Sequence, residues 1–466
     1  MRNRTTILLL SAALFLTCFP AAQERPGQPP SSPGRATGQD PWTGSDEQKL
    51  WGLMTVWAEA KFNFPFFDRL PGLDWDKEVR EYIPRVLSAD TLEGYYDVLR
   101  EFAALLRDGH TAVWPPWMFV KPGHDQPPVE LQAVEGRFVV ALVGDTEEIE
   151  RQRIYAGLEV VEVGDVPAGE YFRDNVLRFI SFGTHQADEA IALMALLDGP
   201  RNSRVTLKVK DADGTAREVS LTRNSTNRDG SPFIWRWMRW MRFDPQIETK
   251  TLASDIRYVR ISNFGNEKVA EEFLKLIDGL DPRTIRGMIL DIRFNSGGNS
   301  DNADAIVGAL TDEPLRASKW KSLSYVPAYR SWGRPTGWIE EGPAVIEPRQ
   351  GKRYSGPLVV LTGPATFSAA EDFLVPLRYS GRAVLVGERT AGSTGNPIVV
   401  ALPGGGTFRV VSKRDLFPDG REFVGIGIPP DVEAHPTREG LLRGVDPVLQ
   451  KGLEVVKDRA LHRKIK

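Results

Sequence analysis

Between residues 255 and 440, short runs of aliphatic and β-branched residues alternate with longer amphipathic stretches, and this alternation restricts the fold sharply. Strands are expected at 256–261, 288–292, 358–361, 383–386 and 407–411, and helices at 269–280, 302–310 and 369–379. Strand–helix–strand units build parallel sheets, because a helical crossover returns the chain to the starting end of the sheet. Leu358-Val359-Val360-Leu361 is apolar at every position, as a strand covered on both faces must be. The expected fold class is therefore α/β for this part of the chain.

The remainder divides by composition. Arg2 and Arg4 precede a short apolar run over 7–16 and then Pro20-Ala21-Ala22, so 1–22 reads as a secretory signal peptide. A periplasmic or secreted location follows, and no later segment is apolar enough to span a membrane. The single cysteine, Cys18, lies inside this segment. Lipid anchoring at Cys18 is less favoured, since Phe15-Leu16-Thr17 lacks small residues. The chain after the signal then has no disulfide, thiolate metal site or cysteine nucleophile. Residues 23–45, rich in Pro, Gly, Ser and Gln, read as a flexible leader. Residues 46–125 read as a helical N-terminal domain, with Leu50, Leu53, Trp57, Tyr95, Leu99, Phe102 and Leu106 at helical spacing and Asp74 and Asp90 placed as caps. Residues 128–223 read as a small β-rich domain with a helix over 188–197, and 224–254 as a connecting arm. Within 233–243 stand five aromatics and three arginines, read as a packing segment rather than an RNA-stacking one. Residues 441–466 form a C-terminal helix or tail. A net charge of −3 without a long basic run argues against nucleic-acid binding.

The chemistry concentrates where the apolar strand at 358–361 runs through Gly363-Pro364 to Ser368 at the start of a helix. A hydroxyl there stands beside backbone N–H groups without helical partners, which suits a nucleophile that must also stabilise an oxyanion. Serine is equally a favoured helix cap, and local sequence alone favours the cap. Gly297-Gly298 follow another strand, where two glycines let backbone approach a ligand and donate N–H bonds. Asp291, Arg293 and Asn295 read as braces of that loop. Five histidines are available as a base: His110, His124, His185, His435 and His462. His110, in the tight Asp108-Gly109-His110-Thr111 turn, is the best placed, but spacing alone does not select it.

Two resemblances add to this. Residues 156–167 and 204–209 resemble a PDZ domain, which implies a groove taking an extended or C-terminal peptide as an added strand. Five ordered motifs resemble the tail-specific (C-terminal-processing) serine peptidase family: 106–111, 290–298, 366–371, 386–390 and 425–431. That resemblance implies a multidomain α/β protein with a crotonase/ClpP-like protease core over 255–440. It implies peptide hydrolysis without metal or cofactor, with Ser368 as nucleophile. Part of the family uses a lysine 25 residues after the serine, and Ser393 occupies that place here. The tricorn-like alternative, a Ser–His–Glu system, implies His110 as base and an oxyanion hole from the Ala369 N–H with the Gly297 or Gly298 N–H. In relatives a glutamate often stands seven residues before the aspartate of the final motif, here the place of Val424; Glu422, two residues earlier and on the same face of a regular strand, is therefore the expected third member, with Asp108 as a weaker alternative. Tricorn also places a serine before its histidine, where this chain has Gly109.

The expected function is hydrolysis of peptide or protein substrates through an acyl-enzyme. Two alternatives remain open: a catalytically inactive peptide- or ligand-binding protein on the same scaffold, and an acyl-thioester enzyme, which the signal peptide disfavours. Oligomeric state is not legible.

Overall fold

The computed structural model describes residues 42–117, 121–180, 182–235, 247–252, 255–281 and 284–463. The signal segment, most of the leader and residues 236–246, which include 236–243 of the aromatic stretch, lie outside these residues.

A six-stranded sheet forms the centre, in the order Ile247–Leu252, Ile256–Ile261, Gly287–Asp291, Leu358–Thr362, Val384–Gly387, Val432–Glu433. The first pair is antiparallel and the others are parallel. Every residue of Gly287–Asp291 and Leu358–Thr362 is buried, as their unbroken apolar character requires. Alternation divides the side chains between two faces. Val259, Met288, Leu290, Leu358, Val360 and Leu385 lie with Phe273, Ile306 and Phe373 of the helices Glu267–Gly279, Ser300–Gly308 and Ala369–Tyr379. Ile256, Ile289, Val359, Leu361 and Val386 meet Val448 and Val456 of the last helix, Pro447–Arg463.

Three N-terminal helices, Asp46–Asn63, Trp75–Leu87 and Leu92–Ala104, are capped by Ser45, Asp74 and Thr91. The third cap is thus one residue beyond Asp90: Thr91 Oγ1 accepts the Gly94 N–H at 3.0 Å. Leu53, Val56, Tyr95, Leu99 and Phe102 join the same apolar cluster as the sheet, so these helices have no separate core. A short strand, Ala112–Trp114, pairs antiparallel with Thr407–Val410 and fixes the end of the helical region against the α/β part. The Tyr96 hydroxyl reinforces this, donating to Pro403 O and accepting from the Gly406 N–H, both at 2.7 Å.

Residues 129–222 form a second antiparallel sheet with its own core, built on Val129–Val134, Arg137–Val143, Glu159–Val163, Arg204–Lys210 and Ala216–Thr222. The helix expected at 188–197 begins earlier, as His185–Ile191 capped by Thr184, and ends in a 3₁₀ turn, Ala192–Ala195. It rests on the α/β part: Thr184 Oγ1 donates to Ala391 O at 2.7 Å and Gln186 Nε2 to Thr390 O at 3.2 Å. Of the aromatic stretch, Phe233 and Trp235 are buried edge to face, 5.0 Å between centroids, and the Trp235 indole donates to Val129 O. Among the described residues no helix is long and apolar enough to cross a membrane.

Candidate active site

Ligands of parallel α/β sheets gather at the carboxyl ends of the strands, where the loops diverge. Three neighbouring strands of this sheet deliver loops there: 292–299, 363–368 and 388–396. The turn before Ser368 is tied to its neighbour. Thr366 Oγ1 donates to Ile292 O at 2.9 Å, and the Phe367 N–H donates to Asn295 O at 3.0 Å. Asn295 spans the adjacent loop, its amide donating to Ile261 O at 3.1 Å. Arg293 grips Asp291 and Asp446, with Nη2–oxygen distances of 2.6 and 2.7 Å. Burial alone would raise the Asp291 carboxyl; Arg293 and the Tyr258 hydroxyl override it and hold it below the ordinary range. These residues are braces.

Ser368 sits at φ +59°, ψ −129°, a backbone conformation strained for any residue with a Cβ. Its side chain makes no capping bond to the helix that follows. Instead its half-exposed Oγ lies 2.9 Å from His110 Nε2. The cap favoured by local sequence is therefore not what this hydroxyl does. The strained strand–turn–helix geometry lifts it off the helix axis, as a nucleophile elbow does.

His110 comes from 258 residues upstream, carried in by the Ala112–Trp114 strand. Its N–H is held by Asp108 Oδ2 at 3.0 Å, and its ring stacks on Phe367, 4.5 Å between centroids with 12° between planes. Nδ1 lies 2.8 Å from Ser393 Oγ. With Nε2 accepting from Ser368, Nδ1–H donates to Ser393. Burial, then the positive charges of Arg409 and Lys413, push the imidazole well below its ordinary pKa of 6.5, so it is neutral at pH 7. Burial raises the Asp108 carboxyl to about 6, against the donors from Thr111 and the His110 N–H.

Ser393 is the member that sequence reasoning missed. Its hydroxyl meets His110, its carbonyl accepts the Ser368 N–H at 2.9 Å, and its own N–H donates to Glu371 Oε2 at 2.7 Å. The fully buried Glu371 also accepts from the Gly392 N–H at 2.8 Å and from the Thr390 hydroxyl. Burial pushes its carboxyl up to about 7, while these three donors pull the other way. The signal lay in the spacing: a residue where a dyad lysine would stand is already beside the serine. Gly109 fits the same picture, since a Cβ on it would come within 2.8 Å of both Ser393 Oγ and the Phe367 ring. A side chain before the histidine would displace one of these neighbours, and here a hydroxyl reaches His110 from the opposite loop.

Glu422 does not take the third position. Its carboxylate is held by Arg69 at 2.7 Å and Arg414 at 3.3 Å, on a segment that forms only an isolated bridge to Leu416. Without a regular strand, the two-residue alternation that pointed to it does not apply. The other expected donors also separate. The Gly297 N–H is taken by Asn295 Oδ1 at 2.9 Å. The N–H groups of Gly298 and Ala369 have no acceptor among the described residues; Ala369 follows the serine directly, whereas Gly298 lies against Phe264 and Gly265. Of the other histidines, His124 pairs with Asp198, His185 with Glu189 and His435 with Glu388. The His462 side chain lies outside the described residues.

The arrangement can deprotonate Ser368 and hold the resulting imidazolium by a hydroxyl, and it leaves the Ala369 N–H beside the serine without an acceptor among the described residues. Because the His110 pKa is lowered, its base form persists as pH falls through 6.5. The acid limb of kcat/KM is therefore expected well below pH 6.5, and a pH–rate profile with a limb at or above 6.5 would contradict the burial of a neutral base.

Residues 255–434 match the family model described as Peptidase family S41. The chain is 24% identical over 397 residues to carboxyl-terminal-processing peptidase 3, chloroplastic, of Arabidopsis thaliana, covering 83% of this chain and 67% of that protein. It is 28% identical over 241 residues to the carboxy-terminal processing protease CtpA of Bacillus subtilis (strain 168), covering 52% and 45%. The chain thus spans between about half and two thirds of the length of these relatives. Among solved structures, mature CPAF complexed with lactacystin superposes with a TM-score of 0.68 at 19% identity, over 88% of this chain and 98% of that one. The fold is shared with that protein.

Proposed function

We propose, with residues 255–434 forming a peptidase family S41 domain, that this chain is a serine-type endopeptidase working through an acyl-enzyme. The observation that carries the reading is the 2.9 Å contact between Ser368 Oγ, on its strained turn, and His110 Nε2. Ser368 Oγ attacks the scissile carbonyl carbon while its proton passes to His110 Nε2. Negative charge develops on the carbonyl oxygen, where the Ala369 and Gly298 N–H groups donate. Collapse of this intermediate expels the amine, which takes the proton from His110. The cations that keep His110 neutral also make its imidazolium a stronger acid for this step. Water, deprotonated by His110, then releases the acyl group.

Ser393 orients the imidazole, and Glu371 anchors Ser393 through its backbone. Ser393→Ala would leave the Nδ1–H without its acceptor, and kcat is expected to fall about tenfold with KM little changed. An unchanged kcat would remove Ser393 from the machinery.

The proposal extends to location and selection. The enzyme acts outside the cytoplasm after signal removal, and residues 128–223, as a PDZ-like domain, present extended or C-terminal peptides to the site. C-terminal processing by the named relatives is consistent with this. The non-catalytic binding reading drew on the shifted place of the glutamate; the intact Ser368–His110 contact supports catalysis over it. Incubating the purified chain with unstructured polypeptides and mapping the products by mass spectrometry tests the reading. New termini in wild type that are absent with Ser368→Ala support it. No cleavage of any substrate, with the protein folded, would overturn it.

A further inference from the structure

The strand Thr407–Val410 lies between Ala112–Trp114 and Ile398–Ala401 in a three-stranded sheet. Phe408 and Val410 are fully buried, so Thr407 and Arg409 occupy the opposite face. The pairing sets Arg409 between Ala112, two residues beyond His110, and Val399, which is 48% exposed. The Arg409 guanidinium lies 4.6 Å over the Trp114 ring. It is close enough to His110 to act on its titration more than any other charge.

This half-buried guanidinium has no hydrogen bond and no ion pair among the described residues. Lys413, the next cation acting on His110, is already paired with Asp415 at 2.7 Å. Asp108 attracts Arg409 electrostatically, but its carboxylate is committed to the His110 N–H and to Thr111. A cation partly withdrawn from water without a hydrogen-bonded counter-charge carries a cost to the fold. Burial accordingly lowers its pKa to about 10, even against Asp108. A cation kept so beside a candidate catalytic base is explained if its counter-charge arrives with the ligand. A guanidinium oriented by an aromatic ring presents a planar fork that matches a carboxylate.

We propose that Arg409 is a specificity-determining residue that binds a carboxylate of the peptide substrate, from either a free C-terminus or an Asp or Glu side chain near the scissile bond. This rests on the hydrolase reading above. The experiment uses the full chain at pH 8, above the His110 transition, and two sets of peptides. One set pairs a free C-terminal carboxylate with the carboxamide. The other pairs Glu with Gln at positions flanking the cleavage site.

Wild type is expected to show a kcat/KM at least about tenfold higher for the carboxylate member in one set, which identifies the source. In Arg409→Gln that ratio is expected to fall to about one, whatever the absolute rate, and in Arg409→Lys to be partly restored. No preference in either set with wild type, or a preference undiminished in Arg409→Gln, would overturn the proposal. A fluorophosphonate probe separates the two readings. If Ser368 reacts while no carboxylate preference exists, only the role of Arg409 fails. If Ser368 does not react, the hydrolase reading and this inference fail together.

Discussion

Ser368→Ala is expected to lower peptide hydrolysis by on the order of 10⁴- to 10⁶-fold, with the fold intact. The only hydroxyl in contact with His110 Nε2 among the described residues is removed, and with it the acyl-enzyme route. His110→Ala should produce a loss of similar order, and the double variant should be hardly worse than either, because the two residues act as one unit. A strictly additive double variant would mean that they work separately. Ser368→Gly supplies a signature that a simple helix cap would not. At φ +59° a glycine relieves backbone strain, so this inactive variant should be more stable than Ser368→Ala by about 1 kcal/mol or more. Chemical denaturation reads this directly. Equal stabilities would indicate that the turn is not strained by the nucleophile it carries.

The second large effect is expected at Gly297, although its N–H is already occupied. A Cβ there would stand 2.6 Å from Ser368 Cβ, 2.7 Å from Phe367 O and 2.8 Å from Ala369 N. Two of these are backbone atoms of the elbow, so no side-chain rotation can make room. Its φ of +90° adds strain of its own. Gly297→Ala should therefore cost about 2–4 kcal/mol of stability. It should lower kcat at least about a hundredfold, since displacing the nucleophile by an ångström has that effect. Gly123 separates the two contributions: its φ is +76°, but nothing lies within 4 Å of its Cβ position. Gly123→Ala should cost only the conformational part, about 1 kcal/mol, and leave kcat alone. Similar stabilities and rates for the two variants would show that Gly297 is not packed against the serine turn.

The central strands were legible because their burial on both faces leaves one solution: Gly287–Asp291 and Leu358–Thr362 fall within a residue of the expected runs. The Ala369–Tyr379 helix was legible for a similar reason, since the Gly-Pro turn fixes its start. What failed was what depends on contacts between distant segments. The strand that brings His110 to Ser368, Ala112–Trp114, has three residues and no periodicity to read; its partner lies some three hundred residues on. Glu422 was reached by assuming a regular strand where the chain makes turns. Ser393 was in view only as the place of an absent lysine, and a missing amine says nothing of what the hydroxyl does there. Gly297 and Gly298 were singled out as a pair. Which N–H stays free was decided by Asn295, a residue read only as a brace.

The most direct measurement is the site and rate of modification by a fluorophosphonate probe, located by peptide mapping. The account predicts a single adduct on Ser368 in wild type. It predicts no adduct in Ser368→Ala, and formation slowed at least about a hundredfold in His110→Ala, where the general base is lost. An unmodified Ser368 under conditions that label an active serine peptidase, or labelling undiminished in His110→Ala, would contradict it.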